Sequence, residues 1–189
     1  MKKMAIMVLL MGLSLNNVAA SVQAIGHYET TTAGFALTTN DGSVTNLEIE
    51  TFLGVTGLEG VEGSAVKGSL NILKGEIFSF DWIFTPAWTS SSSMDYDDFS
   101  FVNLKLGTME VFKILAKASD TNKSDLFEWT ATESGLLNFG IGIMDLGDNT
   151  EDSSLTISKL NSVPLPAAAW FFLTGLLGLA GFKQKRSAI

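Results

Sequence analysis

The side chains able to do chemistry gather in two acidic clusters. Asp95, Asp97 and Asp98 follow a run of four serines at 90–93, and Asp145, Asp148, Glu151 and Asp152 share a stretch with Gly147 and Asn149. Calcium takes roughly six to eight oxygens from carboxylates and from amide or backbone carbonyls on flexible loops, and these are donors of that kind. Neither cluster has the glycine and closing glutamate of the helical-hand calcium loop. The expected ligand set is Asp145, Asp148 and Asp152, with Asp95, Asp97 and Asp98 as second choice. The alternative is that these acids make turns and keep strand edges soluble. Calcium is the one cofactor the residues suggest. Trp88 and Tyr96 flank the serine run, placed either to stack on sugar rings or to close the edge of a sheet.

A catalytic reading has little to stand on. His27 is the single histidine and cysteine is absent, so no Ser-His-Asp set, zinc site or thiol chemistry can be assembled from this composition. No phosphate-cradling glycine loop is present. His27 also lies near the expected start of the mature chain, where chains are usually mobile. A glycosidase needs only two carboxylates and stands as the enzyme alternative. Asp81 sits mid-strand opposite a row of aromatics, more the place of a solvated outer-face side chain than of a ligand.

The elements that must position these residues are strands. Runs rich in Val, Ile, Phe, Thr and Trp alternate with Gly, Ser, Asn and Asp, and they predict strands at 27–32, 35–38, 65–72, 76–84, 98–106, 109–117, 125–130, 135–145 and 154–160. Phe78, Phe80, Trp82 and Phe84 fall at every second position and share one face, and Phe99 and Phe101 repeat the alternation. Two aromatic faces need cover, and with little helical pattern available a sheet packed on a sheet supplies it. The expected fold is an all-β sandwich of jelly-roll type. One short helix is expected at 46–53, where Leu47, Glu50 and Leu53 recur three apart before Gly54.

The two ends read differently from the middle. Met1-Lys2-Lys3 precedes an apolar run over 4–15 and then small residues, the layout of a secretory signal peptide. Both Val18-Ala19-Ala20 and Val22-Gln23-Ala24 offer cleavage sites; cleavage after Ala24 is the first expectation and after Ala20 the second. An uncleaved anchor is the alternative, but the run reaches only about 18 Å as a helix against a bilayer core of about 30 Å. At the other end Val163-Pro164-Leu165-Pro166 leads into an uncharged run from Ala167 to Phe182, closed by Lys183, Lys185 and Arg186. That run is apolar on every face, which suits a membrane span better than a core helix, and its basic end should stay cytoplasmic. The expected organisation is a leader at 1–24, an exported domain at 25–162 and a sorting tail at 163–189.

All 20 acidic residues lie between the two ends, whereas five of the 12 Lys and Arg lie in them. The middle thus holds seven basic against 20 acidic side chains, a net charge of −13. Such a domain repels nucleic acid, and that class of partner is set aside. Its length is that of one domain with one sizeable core.

The tail VPLPAAAWFFLTGLLGLAGFKQKR resembles the VPLPA variant of the PEP-CTERM sorting signals: a proline motif, a transmembrane stretch with Trp170 near its start, and a basic end. The resemblance implies recognition and processing by an exosortase-like membrane enzyme in a Gram-negative bacterium that makes extracellular polysaccharide. The middle resembles a group of exported β-sandwich proteins that often carry such tails. Phe80-Asp81-Trp82-Ile83-Phe84, Tyr96-Asp97-Asp98-Phe99-Ser100-Phe101 and the late acidic turn before Ser153-Ser154-Leu155 carry that likeness. The chain departs from that group's acidic closing strand, having Leu155-Thr156-Ile157-Ser158-Lys159-Leu160 in its place.

Together these imply an exported envelope or matrix protein with a structural or binding role, held first at the inner membrane with its domain periplasmic, then moved to the surface or beyond. Expected partners are signal peptidase and Sec-type export machinery, the sorting enzyme, the membrane and extracellular polysaccharide. A carbohydrate-binding module and a glycoside-active enzyme are the alternatives.

Overall fold

Alternation along 78–84 turns four aromatics to one side, and the rest of the chain covers them. The computed structural model describes residues 22–39, 42–87, 98–120, 122–146 and 152–163. In chain order the strands are β1 (Val22–Ile25), β2 (His27–Thr30), β3 (Gly34–Thr38), β4 (Val44–Thr45), β5 (Glu62–Ile72), β6 (Ile77–Thr85), β7 (Phe99–Leu106), β8 (Met109–Lys117), β9 (Lys123–Thr130), β10 (Gly135–Asp145) and β11 (Ser154–Val163). One helix, α1 (Asn46–Leu53), lies between β4 and β5. The first sheet runs β1-β5-β10-β7-β8, with β4 also on β5, and the second runs β2-β3-β11-β6-β9. All pairings are antiparallel. This is the all-β sandwich that alternation predicts.

The core is the space between the sheets. Phe78, Phe80, Trp82 and Phe84 of β6 are buried there against Val66, Leu104, Leu137, Phe139 and Ile141 of the first sheet. Phe78 joins the layers: its ring centroid is 5.9 Å from Phe80, 6.5 Å from Phe127 on β9 and 5.2 Å from Phe139 on β10. Edge-on and tilted aromatic pairs of this kind add to what area burial alone supplies.

The second aromatic face is covered differently from expectation. Phe99 and Phe101 turn away from the space between the sheets and form a smaller cluster with Ala65, Met144, Ile49 and Leu58. Helix α1, not a sheet, supplies the cover, so β7 is buried on both faces. The helix is held at its start by Glu48, whose Oε2 accepts from the Thr45 amide at 3.0 Å and the Thr45 hydroxyl at 2.7 Å. These two bonds hold the Glu48 carboxyl below its ordinary range, the hydroxyl contributing most. The helix ends at Gly54, whose φ of 70° is left-handed and free of a Cβ penalty.

Two strands went unforeseen. β4 is only two residues long. β1 (22–25) is short too, and its first three residues fall inside the expected leader if cleavage follows Ala24. Gly26, at φ 81°, then carries the chain from one sheet to the other; a Cβ there would lie 2.5 Å from Ser64 Oγ. His27 is correspondingly not a frayed terminus. It opens β2 opposite Thr38, its amide donates to Ser64 Oγ at 2.8 Å, and its Nδ1 lies 3.0 Å from Thr38 Oγ1.

Candidate binding groove

The outer face of the first sheet is only partly covered by α1, and strand register decides what the remainder displays. One lateral row runs Gln23, Lys67, Gly140, Asn103 and Phe112 across β1, β5, β10, β7 and β8. The next row runs Ser69, Asn138, Lys105 and Glu110. The last turn of α1 stands over these rows, and the step between helix and sheet is an open groove of about 440 Å³. Gly140 permits the step, since a Cβ there would lie 2.9 Å from Leu53 Cδ2.

Among the described residues the groove lining combines amide, hydroxyl and ammonium groups with Phe52, Leu53 and Phe139 and includes no carboxylate or histidine. Lys67 Nζ donates to the Phe52 carbonyl at 2.8 Å and lies 4.2 Å from the Phe52 ring centroid, capping the helix and leaving two of its protons for other partners. Asn103 is 6% exposed. Its Nδ2 donates to Glu110 Oε1 at 3.4 Å, while its Oδ1 is buried and meets no donor among the described residues. A buried amide oxygen left in that state costs free energy that a ligand hydroxyl or a water would recover. Phe112, 47% exposed, stacks on Phe101 with centroids 5.3 Å apart beside Asn103.

At one end of the sandwich the acidic residues meet. Asp98, before β7, and Asp145, at the end of β10, belong to different sequence clusters, and both are buried there. The Asp98 carboxylate accepts from Ser153 Oγ at 2.5 Å and from the Leu146 amide at 3.2 Å. Ser153 Oγ accepts from the Ala87 amide at 3.1 Å, and the Ser153 amide donates to Thr39 Oγ1 at 3.0 Å. Asp98 and Ser153 thus tie the ends of β3, β6 and β10 to the starts of β7 and β11. Asp152 is exposed, and Asp95, Asp97, Asp148, Trp88 and Tyr96 lie outside the described residues. Among the described residues no group of three acidic, histidine or cysteine side chains is placed to hold a metal.

Asp98 therefore has a protein-internal role that its membership of an acidic cluster does not reveal. Asp98→Ala should cost about 2–3 kcal/mol, because it strands a buried hydroxyl and a half-buried amide, and Asp98→Asn should cost less than half as much. Melting each variant in chelator and in millimolar calcium separates the roles. A loss for Asp98→Asn that exists only in calcium would make Asp98 a metal ligand instead.

Asp81 is on the outer face of the second sheet and pairs with Lys159 Nζ at 2.7 Å. Lys159 stands at a bulge in β11 with a φ of 52°, and its amine is raised by the hydrogen bond to Asp81 and then by that carboxylate's charge. Both side chains are well exposed, so the pair fixes the bulge more than it stabilises the fold. The proline motif begins at Val163, the last residue of β11, and Pro164 to Ala167, Lys183, Lys185 and Arg186 lie outside the described residues. Among the described residues no helix is long and apolar enough to cross a membrane.

No protein family profile and no curated protein matches the chain. Among solved structures the chain is similar to TmCBM61 in complex with beta-1,4-galactotriose, at 9% identity and a TM-score of 0.36, over 76% of this chain and 88% of that one. It is also similar to a family 16 carbohydrate-binding module at 12% identity and a TM-score of 0.33, over 58% and 80%. A xylan-binding domain from CBM 22 is matched at 9% identity and a TM-score of 0.30, over 82% and 93%.

Proposed function

We propose that this chain is an exported envelope or matrix module that holds a polysaccharide in the groove beside α1 without cleaving it. The observation that carries the reading is the groove's lining: amides from three strands, one of them buried with an unmet oxygen, next to a half-exposed phenyl ring. Paired amide donors and acceptors match vicinal hydroxyls, and an aromatic face matches the apolar face of a sugar ring. The described lining residues include no carboxylate or histidine, which favours holding a glycan over cleaving it. The resemblance of the tail supports export, retention at the inner membrane with the domain periplasmic, and later processing by an exosortase-like enzyme to the surface.

Binding of the full chain, in neutral detergent, to an array of polysaccharides tests the reading. Phe112→Ala and Asn138→Ala should each weaken binding by about tenfold, the scale of one stacked ring or one ligand hydrogen bond. No shortened product should appear. Binding that survives both changes but is lost with Trp88→Ala would move the site to the serine-loop end, and release of oligosaccharide would make the protein an enzyme. Deleting 167–189 should turn a membrane-associated protein into a soluble exported one; unchanged fractionation would remove the tail as an anchor.

A further inference from the structure

Charge in this groove runs against the charge of the domain. Seven basic side chains stand against 20 acidic ones in the middle of the chain, yet among the described residues the groove lining includes two of the seven, Lys67 and Lys105, and no acid. The nearest acid in register is Glu110, opposite Lys105, and it is already an acceptor for Asn103. The two lysines are on β5 and β7 with β10 between them. Two strand spacings and a two-residue offset put their Cα atoms about 12 Å apart. With side chains as long as lysine's on both strands, that separation lets the two ammonium groups meet acid groups on neighbouring units of one chain.

We infer that the groove selects an anionic polysaccharide, its acid groups meeting Lys67 and Lys105 while its hydroxyls meet the amides of Asn103 and Asn138. The inference deepens the polysaccharide reading and rests on it. A local positive patch inside a domain of net charge −13 confers selectivity more than strength, because the net field of the rest of the domain is repulsive to an anionic ligand. Salt acts on both parts at once, by screening the ammonium contacts and the general repulsion.

The test uses the full chain in neutral detergent and three soluble polymers: alginate as the carboxylated probe, dextran sulfate as the sulfated one, and dextran as the neutral one. Alginate should bind at least about tenfold more tightly than dextran. Lys105→Gln is the informative variant, since Lys105 is exposed and carries no internal bond that the fold depends on; Lys67→Gln also loosens the helix end. Lys105→Gln should reduce alginate binding by about threefold to tenfold and leave dextran binding unchanged, and Lys159→Gln, on the other sheet, should change neither. Dextran sulfate binding as tightly as alginate, with the same loss in Lys105→Gln, would support the inference and extend the acid group to sulfate. Equal binding of dextran and alginate, unaffected by Lys105→Gln, would overturn the anionic inference and leave the polysaccharide reading standing. Failure of all three polymers, together with an empty polysaccharide array, would overturn both.

Discussion

Protein that begins at Ser21 should fold, and protein that begins at Ile25 should melt far below it. β1 pairs Val22, Gln23, Ala24 and Ile25 with Gly68, Lys67, Val66 and Ala65. Val22 packs on the main core and Ile25 on the cluster under α1, while Gln23 lines the groove. Cleavage after Ala24 removes three of these four residues. It would expose the flank of β5, uncover part of the core beneath Val22, and leave Ile25 as a charged terminus at the point where Gly26 crosses between sheets. Loss of one partly buried valine and several ladder bonds costs on the order of 4 kcal/mol, a large part of the stability of an ordinary domain. For a domain of this size that lowers the melting temperature by about 10–20 °C. Amino-terminal sequencing of exported protein is accordingly expected to read Ser21, with cleavage after Ala20. A mature terminus at Ile25 with an undiminished melting temperature would show that β1 contributes nothing to the exported fold.

The largest effect of a single substitution is expected at Phe78. Its ring is fully buried and contacts aromatic rings of both sheets, so Phe78→Ala leaves a cavity at the seam that neither sheet can close alone. The expected cost is about 3–5 kcal/mol, with Phe78→Leu well below that. Ile83→Ala, at an exposed position of the same strand, should cost under about 0.5 kcal/mol. Chemical denaturation of the three variants decides it, and equal midpoints for Phe78→Ala and Ile83→Ala would mean that the two sheets do not share this core.

Much of the framework was readable because the aromatics of β6 alternate from Phe78 to Phe84 and because glycine, serine, asparagine and aspartate punctuate the chain between strands. The bounds of helix α1 were readable from the stop at Gly54, but not its buried face: Ile49 points inward, while Leu47, part of the expected row, is 72% exposed. The direction in which Phe99 and Phe101 point was not readable either, since alternation separates two faces without saying which faces the other sheet. The groove was harder still. Lys67, Asn103, Lys105 and Asn138 are unremarked outer-face residues of three strands, and they become neighbours only through a register that places Lys67 beside Gly140 and Gly140 beside Asn103. A usable signal did exist in Gly140 and Gly142, two glycines interrupting a strong strand, which mark close approach of other groups to its face. At the acidic end the residue type suggested a metal, whereas burial and a serine 55 residues away engage Asp98 within the protein.

The position of β11 bears on how this domain would carry tension. It is the middle strand of the second sheet, paired with β3 over Ser154–Ser158 and with β6 from Ser154 to Val163 across one bulge. Chain continuing beyond residue 163 therefore leaves from the centre of the sheet and not from an exposed border such as β9. A pull along that direction loads the ladders on both flanks in shear, so many bonds share the force, whereas a pull on a border strand would peel its bonds open one after another. Survival under sustained drag is set by the rate of forced unfolding and not by equilibrium stability. A tether fastened at residue 163 should hold until the ladders on either side of β11 fail together.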